Sequence, residues 1–251
     1  ISAGEIMFPR FQRPESWDIW RIQNFLRTII HDLPVGVCLI LETGGKKIFH
    51  SRYLKTAPET SATVTEYLLD GQQRLTAMWR VLNNNYEGET FYLYLPEFDQ
   101  TEDKFSSDEL EVFAVRRHQT EGRRYPMWAD EPAKCLKKGL IPIHFIRPDS
   151  IEERKKEWIE EAIDEFKPEN VTDEDYHLKL KHYYELREKV SLRLSKIANI
   201  VSHYNLPFLS LGSDTRKDIA LQVFINMNTN SKPLTLYDII VAEVEQAKGE
   251  D

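Results

Sequence analysis

The stretch that most restricts the fold of this chain is YLLDGQQRLTAMWRVL, residues 67–82. A short apolar run of strand length passes directly into Asp70-Gly71-Gln72-Gln73-Arg74. Leu75, Met78, Trp79 and Leu82 then recur at i, i+3, i+4 and i+7, the spacing of one helix face. A strand feeding an amphipathic helix through so tight a turn points to a chain that mixes α and β.

The flanking sequence agrees. Ser16 is placed as the N-cap of a helix whose stripe is Ile19, Ile22, Phe25, Leu26, Ile29 and Ile30. Residues 35–41 read as a strand closed by the turn signal Gly44-Gly45, and residues 91–95 as another. Residues 111–115 and 141–146 are further strand candidates. Residues 151–204 turn helical and rich in charge, with one stripe at Trp158, Ile159, Ile163 and Phe166 and a second at Leu186, Val190, Leu194, Ile197 and Val201. Pro168 separates the two helices. A strand at 206–211, a helix carrying Ala220, Val223, Phe224 and Met227, and a last helix from about Thr235 complete the reading.

Composition bounds the function classes. The chain has 251 residues with 33 Lys and Arg against 41 Asp and Glu, a net charge of −8. Bulk electrostatic attachment to nucleic acid is disfavoured, although a local basic face is not. Cys38 and Cys135 lie far apart and form neither a paired framework nor a zinc site, which fits a reducing, cytoplasmic setting. No segment has the length of a membrane span. The first residue is Ile and the end, EVEQAKGED, is polar like the start of a linker, so the chain is expected to be a piece of a longer polypeptide.

The Asp70 turn suits an anion. The first amides of a helix have no intrahelical partner and sit at the positive end of the helix dipole. Gly71 permits close backbone approach or an unusual φ, and Arg74 offers a fork matched to phosphate oxygens. Asp70 can cap the helix, hold Arg74 or ligate a divalent cation. Gln72 and Gln73 can position phosphate oxygens or a water. A strand, an Asp cap and an Arg-bearing helix also occur where no ligand binds, and the Walker pattern is absent.

The run Asp70-Gly71-Gln72-Gln73-Arg74-Leu75-Thr76 resembles the signature of the N-terminal domain of GmrSD-type, modification-dependent restriction enzymes. Residues 9–17, Pro-Arg-Phe-Gln-Arg-Pro-Glu-Ser-Trp, resemble its Phe-Gln-Arg element, with Glu15 where Tyr is frequent. Residues 223–235 resemble a third element, an Asn and a polar turn before Pro-Leu; here it holds Asn226 and Asn228, with Lys232 in place of a frequent Gly. The three elements occur in order across nearly the whole chain.

The resemblance implies an α+β fold with a small mixed sheet of ParB/sulfiredoxin-like type and a large helical region packed on it. It implies one domain over 1–251, with sub-regions 1–148, 149–205 and 206–251. It further implies a domain that binds and hydrolyses a nucleoside triphosphate with Mg2+ and regulates a restriction system directed at modified DNA. Asp70, Gln72, Gln73 and Arg74 would form the catalytic phosphate turn, with Asp70 holding the Mg2+. Gln12, Arg13, Gly71, Thr76, Asn226 and Asn228 would bind nucleotide. The alternative is a non-catalytic ParB-like module that binds modified DNA or a partner nuclease subunit. The His-Asn-His-type (HNH-type) nuclease of such systems has no counterpart in these residues and would lie in another domain or subunit.

Arg116, Arg117, His118, Arg123 and Arg124 form the densest positive run, near Tyr125 and Trp128, and suit DNA phosphates and base stacking; a solvated loop with local ion pairs is the competing reading. Apart from Arg13, the arginines at 10, 21 and 27 read as a solvated face. Trp17, Trp20 and Trp79 read as core. Histidine spacing fits no zinc site, and Cys38, inside an apolar strand, reads as an inert thiol.

Overall fold

The computed structural model describes residues 4–13, 15–101, 109–148, 152–168 and 175–228, with Ile240 and Val244 as isolated helical positions. In chain order these form β1 (Ile6–Pro9), α1 (Ile19–Ile30), β2 (Cys38–Glu42), β3 (Ser51–Arg52), β4 (Glu66–Asp70), α2 (Gln72–Leu82), β5 (Glu89–Asp99), β6 (Glu111–Arg116), β7 (His118–Thr120), β8 (Arg123–Tyr125), α3 (Pro132–Lys137), β9 (Lys138–Pro142), α4 (Glu152–Ile163), α5 (Tyr176–His203), β10 (Phe208–Leu211) and α6 (Lys217–Asn228). The expected α+β class holds. The last helix expected from Thr235 lies outside the described residues.

The chain divides into two compact units that interleave in sequence: residues 1–18, 34–79 and 205–251 form one, and residues 19–33 and 80–204 the other. The first holds a five-stranded mixed sheet, ordered β10-β2-β4-β1-β3. Alternation along its strands sends Leu39, Leu41, Tyr67 and Leu69 to one face, against Phe11, Phe49 and the buried Ala220, Leu221 and Phe224 of α6. Cys38, Ile40 and Leu68 take the other face, with Leu75 and Trp79 of α2 packed there. Because both faces are covered, β2 and β4 read as continuous apolar runs rather than alternating ones.

The second unit is built on β5, central in the sheet β6-β5-β9, with α1, α3, α4 and α5. Val190, Leu194, Ile197 and Val201 form the buried stripe of α5, as its spacing predicts.

Four local expectations are corrected. Helix α1 begins at Ile19, and the Ser16 N–H donates to Gln73 Oε1 at 2.9 Å; Ser16 is not its N-cap. The strand expected at 35–41 starts only at Cys38, since Gly36 turns the chain at φ +85°. The strand expected at 141–146 is β9 followed by a 3-10 turn, Ile143–Ile146. Trp20 is 70% exposed: α1 buries Ile22, Phe25, Leu26, Ile29 and Ile30, and Trp20 lies off that stripe.

Candidate functional site

The turn between β4 and α2 is set by a bulge. Leu39 of β2 lies opposite Asp70, while Ile40 lies opposite Leu68, so β4 carries Leu69 as an extra residue. Bulges of this kind re-aim the residues that follow. On its other side β4 pairs with β1 only through Glu66 and Tyr67. Beyond that point the buried Gln12 takes over the role of a strand: its Nε2 donates to both Leu68 O and Leu69 O, at 2.5 and 2.8 Å. Gln12 Oε1 is buried with no partner, an acceptor that water or a ligand donor would satisfy.

Gly71 follows the bulge at φ +101°. A Cβ there would lie 2.4 Å from Cys38 Sγ, so both the backbone angle and the space select glycine. The buried Cys38 thiol is pushed up from 9.0, mainly by burial; the nearby Arg74 charge lowers it and Asp70 raises it. This is the inert thiol expected.

The two glutamines are engaged by the chain. Gln72 Nε2 donates to Arg13 O at 2.8 Å, and Gln73 Oε1 accepts the Ser16 N–H. Together with Gln12 they fasten residues 12–16 to the end of β4 and the start of α2. Arg52 Nη2 also donates to Arg13 O, at 3.2 Å, and its guanidinium lies over the Phe8 ring; burial lowers the pKa of Arg52. No sequence pattern marked Arg52.

Arg74 is held from three sides. Its Nη1 donates to Val35 O at 3.2 Å, and its Nη2 donates to Val37 O and to Asp70 Oδ2, each at 3.0 Å. Its side chain is 14% exposed and that of Asp70 is 30% exposed. The loop wraps this closely because Gly36 has no side chain; a Cβ there would lie 3.3 Å from Arg74 Nη1. Pro-Val-Gly-Val inside a strand-like run was the available signal for that loop.

Thr76 is buried on α2. Asn226 lies off the buried stripe of α6, exposed, and accepts from Gln222 Nε2 at 3.0 Å; the Asn228 side chain lies outside what is described. The structure thus joins the first two sequence elements directly, through side chains of one and backbone of the other. A Mg2+ held mainly by substrate phosphates still needs a carboxylate free to ligate it. Asp70 meets Arg74 through Oδ2 alone, so Oδ1 is the atom that would face a Mg2+ carried on substrate phosphates; among the described residues no group of three or more His, Cys, Asp or Glu could hold a metal ion by itself.

Arg117 is corrected as a DNA contact. Its side chain is 1% exposed and ion-paired with Asp130. Arg116, Arg123 and Arg124 are exposed. No described helix is long and apolar enough to cross a membrane.

The family described as GmrSD restriction endonuclease, N-terminal domain, matches residues 1–245. The uncharacterized protein MJ0686 of Methanocaldococcus jannaschii is 23% identical over 262 aligned positions, covering 95% of this chain. The chain spans 39% of that relative's length.

Proposed function

Since the chain belongs to the family of GmrSD restriction-endonuclease N-terminal domains, we propose that it is the nucleoside-triphosphate-binding regulatory domain of a restriction system, acting in the cytoplasm on a nuclease carried by another domain or subunit. In this reading the sheet is of ParB/sulfiredoxin-like type. The observation that supports it is the convergence of the α2 N-terminus, the glycine turn and the buried Gln12 acceptor within one unit. Helix N-terminal amides and a close backbone are what an anionic phosphate needs, and in this reading Gln12 Oε1 would accept from a nucleotide donor group.

A bound triphosphate would supply the anionic oxygens and the scissile bond. Gln12, Gln72 and Gln73 hold the rim of the turn rigid, and rigid positioning is most of what phosphoryl chemistry asks of a protein. Arg13 stands beside that rim. Mg2+ would travel with the nucleotide phosphates. One observation favours a second reading, a module that binds nucleotide, modified DNA or a nuclease partner without turnover. Both terminal nitrogens of Arg74 already have acceptors, which leaves less of its fork for a transferred phosphoryl group.

Two measurements on the purified chain separate these readings: binding of a fluorescent nucleotide triphosphate, and phosphate release with Mg2+ present. Saturable binding with release that Arg13→Ala abolishes supports the first. Binding without release supports the second. Absence of binding to any of the four common ribonucleoside triphosphates overturns both nucleotide readings.

A further inference from the structure

We propose that the β7–β8 hairpin is a DNA-contacting ribbon. It is two three-residue strands in the register His118↔Tyr125, Gln119↔Arg124 and Thr120↔Arg123. Glu121 and Gly122 join them at φ +51° and +76°, two positive φ values in succession, as a tight hairpin of right-handed twist requires. Every residue from His118 to Arg124 is exposed. A two-stranded hairpin of this length has no stability of its own, and this one has no apolar face to bury.

Its base is anchored instead. The Arg117 N–H donates to Gly88 O at 2.7 Å, and the Arg117 guanidinium is buried against Asp130. The His118 and Tyr125 rings stack at 5.5 Å with planes 16° apart. A rigid root thus carries a polar tip into solvent, an arrangement that packing within the unit does not explain.

The chemistry of the tip identifies its partner. Strand alternation puts His118, Thr120, Arg123 and Tyr125 on one face, and Gln119 and Arg124 on the other. Each face therefore offers a guanidinium for phosphate beside a side chain able to hydrogen-bond a base edge. Among the described residues no ion pair engages Arg116, Arg123 or Arg124. Protein interfaces bury aromatic and apolar anchors at their centre, and from Gln119 to Arg124 this tip has none. A ribbon polar on both faces instead suits the B-DNA major groove, about 12 Å wide. On a chain of net charge −8, the attraction must be this local.

DNA contact by the hairpin does not depend on nucleotide binding, and nucleotide is left out of the assay. Binding of the full chain to a short fluorescent DNA duplex is followed by anisotropy across a salt series. Arg123→Ala/Arg124→Ala is expected to weaken binding at least about tenfold and to reduce the slope of log affinity on log salt by about two. Circular dichroism and the thermal midpoint should not change, because both side chains are exposed. Lys179→Ala/Lys181→Ala, two exposed cations on α5, should leave binding intact. No binding by the parent chain at low salt, equal loss in the lysine control, or tighter binding of a poly-glutamate peptide than of DNA would each overturn the proposal.

Discussion

The Gln72 side-chain amide donates to the Arg13 carbonyl at 2.8 Å, across 59 positions of the chain. With Gln73 on Ser16 and Gln12 on the β4 bulge, it makes the loop after β1 and the start of α2 one hydrogen-bonded body. Four consequences of this geometry and of the buried charges elsewhere can be measured.

Gly71→Ala is expected to destabilise the first unit by about 2–4 kcal/mol, combining positive-φ strain with overpacking against Cys38. Urea unfolding gives the number. Adding Cys38→Ala removes the contact and not the backbone strain, so the double variant should lose less than the sum of the singles. Strict additivity would show that Cys38 is not what glycine avoids.

Arg74→Ala leaves Val35 O, Val37 O and Asp70 without their donor and should cost about 2–3 kcal/mol. Arg74→Lys, a single point charge with no fork, should recover only part of that. Full recovery in lysine would mean that charge alone, not the fork, closes the 35–37 loop.

Arg117 and Asp130 should be unequal partners. The Arg117 side chain is 1% exposed and that of Asp130 50%. Asp130→Ala strands a buried cation and is expected to cost about 3 kcal/mol. Arg117→Met leaves only an exposed carboxylate and should cost less. Chemical denaturation of the two variants ranks them, and the reverse order would contradict the burial asymmetry.

His144 supplies a pH dependence. Burial, then Arg147 and Arg154, push it down from 6.5 to about 4. The folded chain therefore binds fewer protons than the unfolded chain between those values. Its contribution is fully present above about pH 6.5 and is lost as pH falls toward 4, by at most about 3 kcal/mol. Unfolding free energies of the parent and His144→Gln at pH 7 and pH 4.5 test this; the variant should show the smaller drop.

Much of the site was legible. The strand, turn and helix at residues 67–82 follow from apolar spacing and from a glycine where only a turn could stand. What was not legible was who satisfies the polar groups. Gln72 and Gln73 suggested groups to position phosphate oxygens or a water, and in the fold they bond the backbone of Arg13 and Ser16. Arg74 suggested a fork for phosphate, and in the fold it clasps Val35 and Val37. Arg117 looked like its neighbours in the basic run, yet it lies between β6 and β7 with its guanidinium buried against Asp130.

Sequence alone determined the local elements and the family, because periodicity, glycine turns and short motifs are properties of neighbouring residues. The tertiary structure decided which side chains are spent on the fold and which remain for a partner. A donor such as Arg74 or Gln12 finds its acceptors dozens of positions away, and only closure of the sheet brings those carbonyls within 3 Å or so of it. In the second unit, Arg123 and Arg124 are exposed, and among the described residues no ion pair holds them.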